Sequence, residues 1–414
     1  MIKEESSWGL KQSKNYPKLA KNIEADVAII GGGLAGIFNA YFLAKAGLKV
    51  VVLEKDEKIL QATTMYTTAF ITKLIDSSFA ELVKLFGPNK AKLVWGSGQD
   101  AIDLIAQIVQ KENIECEFKV VPIYTYAQDQ KEFEELRGEY GAVKKSGFEA
   151  ELSKEGSKLN FRNSGFLKVS KQAMFHPIKF AQGLAGAAES LGAKIFTNSE
   201  VLAIEGLTLK TKTGRVSAKN VLIATYKPFT NQGTRFKKGM YVTYVYELEI
   251  AKGLIPEGMY LDMHNPYHYF RIDSFGVFDR MIAGGEDNRK EIKVSPDKSF
   301  NALEKYIKTV LGGNKYKITR KWSGDILEPS DGLGLIGEIM PHTFVVTGFS
   351  GNGMTYSAIS AMIVRDQILG KKNRYINLYD PKRIPSIKQI SGKGLDYMEE
   401  FFGGAFKNIF FSKK

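Results

Sequence analysis

Short apolar runs punctuated by glycine open the chain. Val27–Ile30 is rich in β-branched residues and too short for a helix, which predicts a buried strand. Leu34–Ala46 places Ile37, Ala40, Tyr41 and Ala44 on one face at helical spacing, and Gly47 stands as its C-terminal cap. Lys49–Leu53 is a second apolar strand ending at Glu54. The middle of the chain repeats this texture. Pro177 suits a first helical turn, Phe180, Leu184, Ala187 and Leu191 form an apolar face, and Gly192 closes the helix before a strand at Lys194–Thr197. Asn220–Thr225 is another buried strand ending in small residues.

Elsewhere the pattern differs. Ser78–Asn113 reads as helical, with Ala101, Ile102, Ile105, Ile108 and Val109 on one face. Glu115–Thr125 reads as a strand, Gln128–Ser146 as a charged helix with a loop, and Glu151–Lys168 as irregular. From Gly239 the chain turns aromatic and alternating, in the manner of an antiparallel sheet. Val242, Tyr244, Tyr246, Leu248 and Ile250 share one face there. A helix at Ser295–Gly312 follows. Near the end, Thr343–Thr347 is a buried strand, and Gly348, Gly351 and Gly353 make a glycine loop feeding a helix of small residues.

The stretch Asp26–Lys55 carries the sharpest chemistry. Gly31, Gly33 and Gly36 give G-x-G-x-x-G between a strand and a helix. In such a unit the first glycine permits the turn, the second lets a pyrophosphate approach the backbone, and the third lets helix pack on strand. The helix N-terminus offers free N–H groups to the phosphates, and an acid such as Glu54, beside Lys55, can accept from ribose hydroxyls. The unit predicts a dinucleotide and leaves NAD and FAD open. Thr63, Thr64, Thr67 and Thr68 crowd the next loop. Their hydroxyls can donate to phosphate oxygens; the alternative is a capped or β-rich loop.

Composition adds bounds. The 414 residues suffice for two domains, and 44% apolar with 25% charged residues is ordinary for a globular protein. One cysteine excludes an internal disulfide framework and any multi-cysteine zinc or iron–sulfur site, and four scattered histidines suggest no metal centre. Neither an apolar leader nor a run of about 20 apolar residues is seen, so a cytoplasmic setting is expected. The net charge of +13 could serve nucleic acid or another anion, but the charges are dispersed, and a basic solvated surface is the favoured reading. The tail, ending EEFFGGAFKNIFFSKK, is amphipathic and suits core docking, with a membrane surface or subunit contact as the alternative.

Taken in order, IIGGGLAG with Glu54, the TTAFIT loop, HP…GLAGAAESLGAKI…NVLIAT and WSGDILEPSDGLGLIG…VVTGFSGNGMT resemble FAD-dependent oxidoreductases of the D-amino-acid oxidase type. The threonine loop and tryptophan lead-in look most like the branch often fused to a Rieske domain, although one cysteine cannot hold its cluster. The resemblance implies an α/β fold: a discontinuous Rossmann-like FAD-binding domain from residues 1–79, 163–232 and 321–383, and a mixed, largely antiparallel α+β substrate domain from residues 80–162 and 233–320, with 384–414 as a helical tail. It implies FAD held by Gly31, Gly33, Gly36, Glu54, Lys55 and the four threonines, with Val201 at the adenine and Ala224 and Thr225 beside the cofactor. Gly348, Phe349, Ser350, Gly351, Asn352, Gly353, Met354 and Thr355 would then border the flavin ring.

The implied chemistry is oxidation of a C–N bond in an amine or amino-acid-like small molecule, with oxygen or a protein as electron acceptor. Tyr244, Tyr246, Tyr269 and Arg271 are the expected substrate contacts, Arg271 by pairing with a carboxylate. Core packing or an ion pair is the alternative for each. Amino-acid-oxidising relatives commonly carry G-L-R-P where this chain has Gly324–Leu327, so Ile326 replaces that arginine, and Gly334 stands where a proline is common. The same fold also admits a modified tRNA base, a hydroxy or polyol phosphate substrate, or a non-catalytic FAD-stabilised subunit.

Overall fold

The computed structural model describes residues 2–9, 14–75, 77–226 and 238–385. The tail expected at 384–414 therefore lies almost wholly outside the described residues.

Two sheets organise the chain. The first is built on parallel strands in the order Thr343–Thr347, Arg215–Ile223, Ile23–Ile30, Val50–Leu53 and Lys194–Phe196, with Leu335–Met340 antiparallel at one edge. A small antiparallel extension, Ala203–Glu205 with Thr208–Lys210, leans on Arg215–Ser217. The strands are continuous apolar runs because both faces are covered. The helix Leu34–Lys45 shows the consequence. A one-sided apolar face was expected, yet Phe38, Phe42 and Leu43 are buried as well as Ile37, Ala40, Tyr41 and Ala44. It lies between the sheet and the helix Gly353–Ile368, to which Asn39 Nδ2 donates at Ser360 Oγ over 3.0 Å. A helix apolar all round needs cover on every side.

The second sheet runs Tyr316–Pro329, Lys238–Ala251, Phe278–Arg289, His268–Phe275, Gly258–Leu261, Lys119–Ala127, Gly165–Met174 and Phe70–Ile71. It is antiparallel except where Gly258–Leu261 meets Lys119–Ala127. Its two faces do different work because side chains alternate along a strand. Val245, Ile282, Met259, Ile123, Val169 and Trp322 join the core shared with the first sheet's helices. Tyr244, Tyr246, Leu248, Ile250, Tyr260 and Phe270 face outward onto the helix Pro296–Leu311.

Three local expectations are revised. The helical stretch 78–113 is two helices, Phe79–Phe86 and Pro88–Lys111, because Gly87 takes φ +80° and Pro88 starts a new turn. Glu151–Lys168 contains strand at Glu151–Ser153 and again from Gly165. Leu191 is 43% exposed, since the helix Pro177–Ser190 ends before it. Two stretches expected with the nucleotide unit, Gly165–Met174 and the part of Tyr316–Pro329 beyond Lys321, are strands of the second sheet.

Candidate active site

Parallel register brings the motif loops to one edge. Ile30 pairs with Leu53 and with Ile223, and Ile223 pairs with Val345. Each strand therefore delivers its following loop to the same side: Gly31, Glu54, Ala224 and, a little beyond, Gly348. The backbone stitches this edge together, with Gly31 N donating to Leu53 O and Ala224 N to Ile30 O, both over 2.9 Å.

The glycines separate into two kinds. A methyl group on Gly36 would stand 2.0 Å from the Gly31 carbonyl oxygen, so helix and turn can meet only there. On Gly33 it would meet nothing nearer than Thr64 Oγ1 at 3.8 Å, so nothing in the protein demands a glycine there. That open approach fits a bound group. The helix it starts has no side-chain cap and no acid in its first turn, and Leu34 N reaches Thr64 Oγ1 over 3.2 Å. Glu54 is buried; its Oε2 accepts from Gly32 N over 2.7 Å and its Oε1 from Asp56 N over 3.0 Å, leaving lone pairs on both oxygens. Lys55 points to solvent instead, 3.9 Å from Asp56. Val201 is buried two residues past Ser199, whose N–H donates to Glu54 O over 2.8 Å. Ala224 and Thr225 are half-buried at the strand end.

The threonines also divide. Thr64 is buried at the helix start, and Thr63 is exposed in the same short turn. Thr67 is spent locally, its Oγ1 accepting from Ala69 N over 2.9 Å, and its carbonyl accepts from Trp8 Nε1 over 2.5 Å. The Thr68 carbonyl accepts from Arg271 over 3.1 Å.

Across the gap lies the second glycine loop. Gly348 takes φ +69°, and a methyl group there would strike Pro329 Cγ at 2.6 Å. Ser350 sits at φ +45° with its hydroxyl buried and without a hydrogen-bond partner. Such an orphan needs an explanation, and a ligand supplies one. Gly351 and Gly353 leave open space. The helix starts at Gly353 behind Asn352 with no side-chain cap and no acid in its first turn, so its positive end faces the loop. Met354 is buried, Phe349 stacks on Tyr356 at 5.4 Å, and Thr355 exchanges hydrogen bonds with the Thr72 backbone at 2.9 and 3.2 Å.

The strand Tyr316–Pro329 bridges the two loops. Trp322 Nε1 donates to Tyr66 O over 3.1 Å, and Ser350 N donates to Leu327 O over 3.2 Å. The inner face between those anchors carries Gly324 and Ile326, with Tyr241 and Thr243 opposite them on the next strand. Thr243 Oγ1 lies 3.0 Å from the Tyr269 hydroxyl, and Phe70 stands edge-on to the Tyr269 ring at 5.8 Å.

Of the expected substrate contacts, Tyr269 alone faces this region. Tyr244 and Tyr246 point the other way and pack on Phe300 at 5.1 and 5.2 Å, because the alternation that buries Val245 inward sends both tyrosines outward. Arg271 is inward but fully engaged. Its Nε and Nη2 hold Asp273 Oδ1 at 3.0 and 2.7 Å, and its Nη1 reaches the carbonyls of Thr68, Ala69 and Phe175 at 3.1, 3.1 and 3.3 Å. It is a clamp on the threonine loop rather than a carboxylate receptor. Burial opposes charge at Asp273, but Arg271 and Arg280 outweigh it and hold the carboxyl below its ordinary range. Arg271 and Arg280 also lie 5.6 and 5.2 Å from the Trp8 ring, so the lead-in tryptophan anchors the same clamp. A polar cleft of about 330 Å³ behind it already has its charges paired, Lys179 with Glu117 and Arg320 with Glu247.

Sequence reasoning missed Tyr241 and Thr243. The signal was a hydroxyl residue inside an aromatic strand, within hydrogen-bond reach of Tyr269, whose ring fills the space over Gly284.

A family model described as DAO, FAD dependent oxidoreductase, matches residues 26–367. The chain belongs to that family. YhfW of Bacillus subtilis, which carries the name of a Rieske 2Fe-2S iron-sulfur protein, is 29% identical over 94% of this chain and 78% of its own length. The gamma-glutamylputrescine oxidoreductase of Escherichia coli is 22% identical over 87% of each chain. Among solved structures, glycine oxidase from Geobacillus kaustophilus superposes with a TM-score of 0.72 at 18% identity, covering 88% of this chain and all of that one. The protein is thus an FAD-dependent oxidoreductase, and the open glycines, uncapped helix ends and orphaned Ser350 hydroxyl fit that cofactor. No helix among the described residues is long and apolar enough to cross a membrane.

Proposed function

We propose that this chain oxidises the C–N bond of an amine or amino-acid-like substrate held between the Gly348–Thr355 loop and the inner face of the second sheet. In this reading the first sheet with its helices is the cofactor unit and the second sheet is the substrate wall. Gly31, Gly33, Gly36, Glu54, Thr63 and Thr64 hold the dinucleotide end, Val201, Ala224 and Thr225 flank it, and the Gly348–Thr355 loop borders the ring. When bound, FAD supplies the acceptor for a hydride equivalent. The chain's residues orient the reacting carbon and keep water away.

One observation carries the choice of amine over alcohol: none of the four histidines is placed on this face. His176 caps a helix under Trp8, where burial pushes it down to about 4. His268 stacks on Tyr306 on the outer side, His264 is exposed in the turn before it, and His342 lies near Asn220 at the surface. An alcohol must surrender its O–H proton to a base as the hydride leaves. An amine loses its extra proton to solvent beforehand, and its oxidation gives an imine that water splits to a carbonyl compound and the released amine. The Thr243–Tyr269 hydroxyl pair suits an N–H group. The names of the glycine oxidase and gamma-glutamylputrescine oxidoreductase relatives lend the reading support.

The test is product analysis of the FAD-loaded protein with a panel of amines and 2-hydroxy acids in the presence of an electron acceptor. Carbonyl product and released amine in equal amounts, matched by reduced acceptor, are expected. Turnover of hydroxy acids with no amine oxidised would overturn the proposal.

A further inference from the structure

Both ring nitrogens of His268 face carboxylate oxygens. Nδ1 lies 2.7 Å from Asp262 Oδ2, and Nε2 lies 3.0 Å from Glu286 Oε1. Only the doubly protonated ring can donate at both ends. Asp262 belongs to the turn after Gly258–Leu261, and its other oxygen accepts from His268 N over 2.7 Å. Tyr306 of the helix Pro296–Leu311 stacks on the ring at 4.0 Å and is hydrogen-bonded to Tyr126 behind it. His264, in the same turn, stands edge-on with ring centroids 6.4 Å apart. His268 is therefore a buried cation between two acids, on the face of the sheet turned away from the cofactor loops.

Glu286 connects this cluster to the inner face. It sits at φ +56°, in the left-handed region that a non-glycine residue enters at a cost. Val242 pairs with Asn288 and Tyr244 with Gly285, so two residues, Glu286 and Asp287, stand opposite Thr243 in a bulge. Asn288 Nδ2 steadies the bulge from outside by donating to Glu286 O over 2.9 Å. On the inside, Thr243 Oγ1 donates to Gly285 O over 3.5 Å and lies 3.0 Å from the Tyr269 hydroxyl. His268 and Tyr269 are successive residues, so one strand carries the cation outward and the hydroxyl inward.

We propose that His268 is a positioning residue: through Glu286 it holds the bulge that sets Thr243 against Tyr269, and its deprotonation releases that alignment. This rests on the amine-oxidation reading, in which the hydroxyl pair meets the substrate N–H. Burial opposes the charge of His268, but Asp262 and Glu286 outweigh it, so the ring keeps its proton past the ordinary 6.5. Above the folded-state value one proton leaves. Asp262, at the shorter distance and bonded to the backbone of the same residue, keeps Nδ1–H. Nε2 then turns a lone pair on the Glu286 carboxylate. Two acceptors oppose each other, and the left-handed Glu286 loses the contact that holds it.

The experiment uses the full chain loaded with FAD, as wild type, His268→Gln, Glu286→Gln, Tyr269→Phe and the His268→Gln, Tyr269→Phe double variant. Nuclear magnetic resonance of carbon-labelled tyrosine and histidine rings, from about pH 5 to 9, follows Tyr269 and His268 without turnover. Anaerobic flavin reduction by an amine, at limiting and at saturating concentration, reads the reaction. In wild type the Tyr269 signal should move with the titration of His268. Flavin reduction should fall through the same range relative to Glu286→Gln, a ratio that cancels the ionisation of the amine itself. Glu286→Gln should show neither change, because an amide accepts from the imidazolium and donates to the neutral ring. At acidic pH, His268→Gln should lower reduction at limiting amine by up to roughly tenfold, and the double variant should lose no more than Tyr269→Phe alone. A Tyr269 signal indifferent to His268, or losses that multiply in the double variant, would overturn the proposal. If the two signals titrate together but no amine reduces the wild-type flavin, the amine-oxidation reading fails and the coupling stands. Should His268→Gln not retain FAD, Glu286→Gln carries the comparison, and a wild-type pH response there counts against the proposal.

Discussion

Arg271 Nη1 donates to the Thr68 carbonyl oxygen over 3.1 Å, tying the second sheet to the threonine loop. The guanidinium is buried and its remaining donors meet Asp273 and two further carbonyls. Removing it leaves Asp273 with Arg280 alone and orphans three carbonyl oxygens. Arg271→Ala should therefore destabilise the fold by about 3–5 kcal/mol, the range for breaking a buried pair. Chemical denaturation of FAD-free protein checks this. Arg271→Lys should recover less than half, because an ammonium cannot span the same set.

The two glycines of the first turn give opposite outcomes. Gly36→Ala meets the Gly31 carbonyl at 2.0 Å and should disrupt the fold with or without cofactor. Gly33→Ala meets only Thr64 Oγ1 at 3.8 Å and should fold normally, yet lose FAD affinity by roughly tenfold or more because the methyl group occupies the phosphate approach. Thermal melts without FAD, paired with FAD titrations, separate the two effects.

The tyrosines give a test of sheet direction. Tyr244→Phe and Tyr246→Phe alter rings that pack outward on Phe300 and should leave turnover within about twofold of wild type. Tyr269→Phe removes the hydroxyl 3.0 Å from Thr243 and should lower kcat/KM by about tenfold. Steady-state kinetics on any accepted amine decides it.

His268 links stability to pH. Its Nδ1 lies 2.7 Å from Asp262 and its Nε2 3.0 Å from Glu286, with Tyr306 stacked at 4.0 Å and Tyr126 hydrogen-bonded behind Tyr306. Burial opposes its charge, but the bonds and charges of Asp262 and Glu286 win, so its pKa lies above the ordinary 6.5. The folded state then holds the proton more tightly than the unfolded chain. That stabilisation is complete below about 6.5 and disappears as pH rises through the folded-state value. The midpoint of urea unfolding should fall across this range in wild type, and His268→Gln should flatten the fall.

How much of this was legible in the residues follows from what each signal reports. The strand–glycine–helix unit at Asp26–Lys55 could be read because steric demands at Gly31 and Gly36 are local. The buried strands could be read from apolar runs such as Val50–Leu53, covered on both faces, while their assembly into a Rossmann-like sheet came from the family resemblance. The substrate wall was less legible. An alternating strand reports two faces without saying which faces the core, and both faces of Lys238–Ala251 are buried, one under Pro296–Leu311. Aromatic content favoured Tyr244 and Tyr246, while the inward face went to Tyr241, Thr243 and Val245. Arg271 was misread for a related reason: its partners Thr68, Ala69 and Phe175 are backbone carbonyls about 100 to 200 residues away, and carbonyls leave no mark in a sequence.

We propose C–N oxidation at the face above the Gly348–Thr355 loop. Its most direct test is anaerobic mixing of the FAD-loaded protein with amines, N-methyl amino acids and 2-hydroxy acids while the flavin absorbance is followed. Bleaching by at least one amine or N-methyl amino acid, with none by the hydroxy acids, is the predicted result. Bleaching by hydroxy acids alone, or by no member of the panel although dithionite reduces the same flavin, would contradict it.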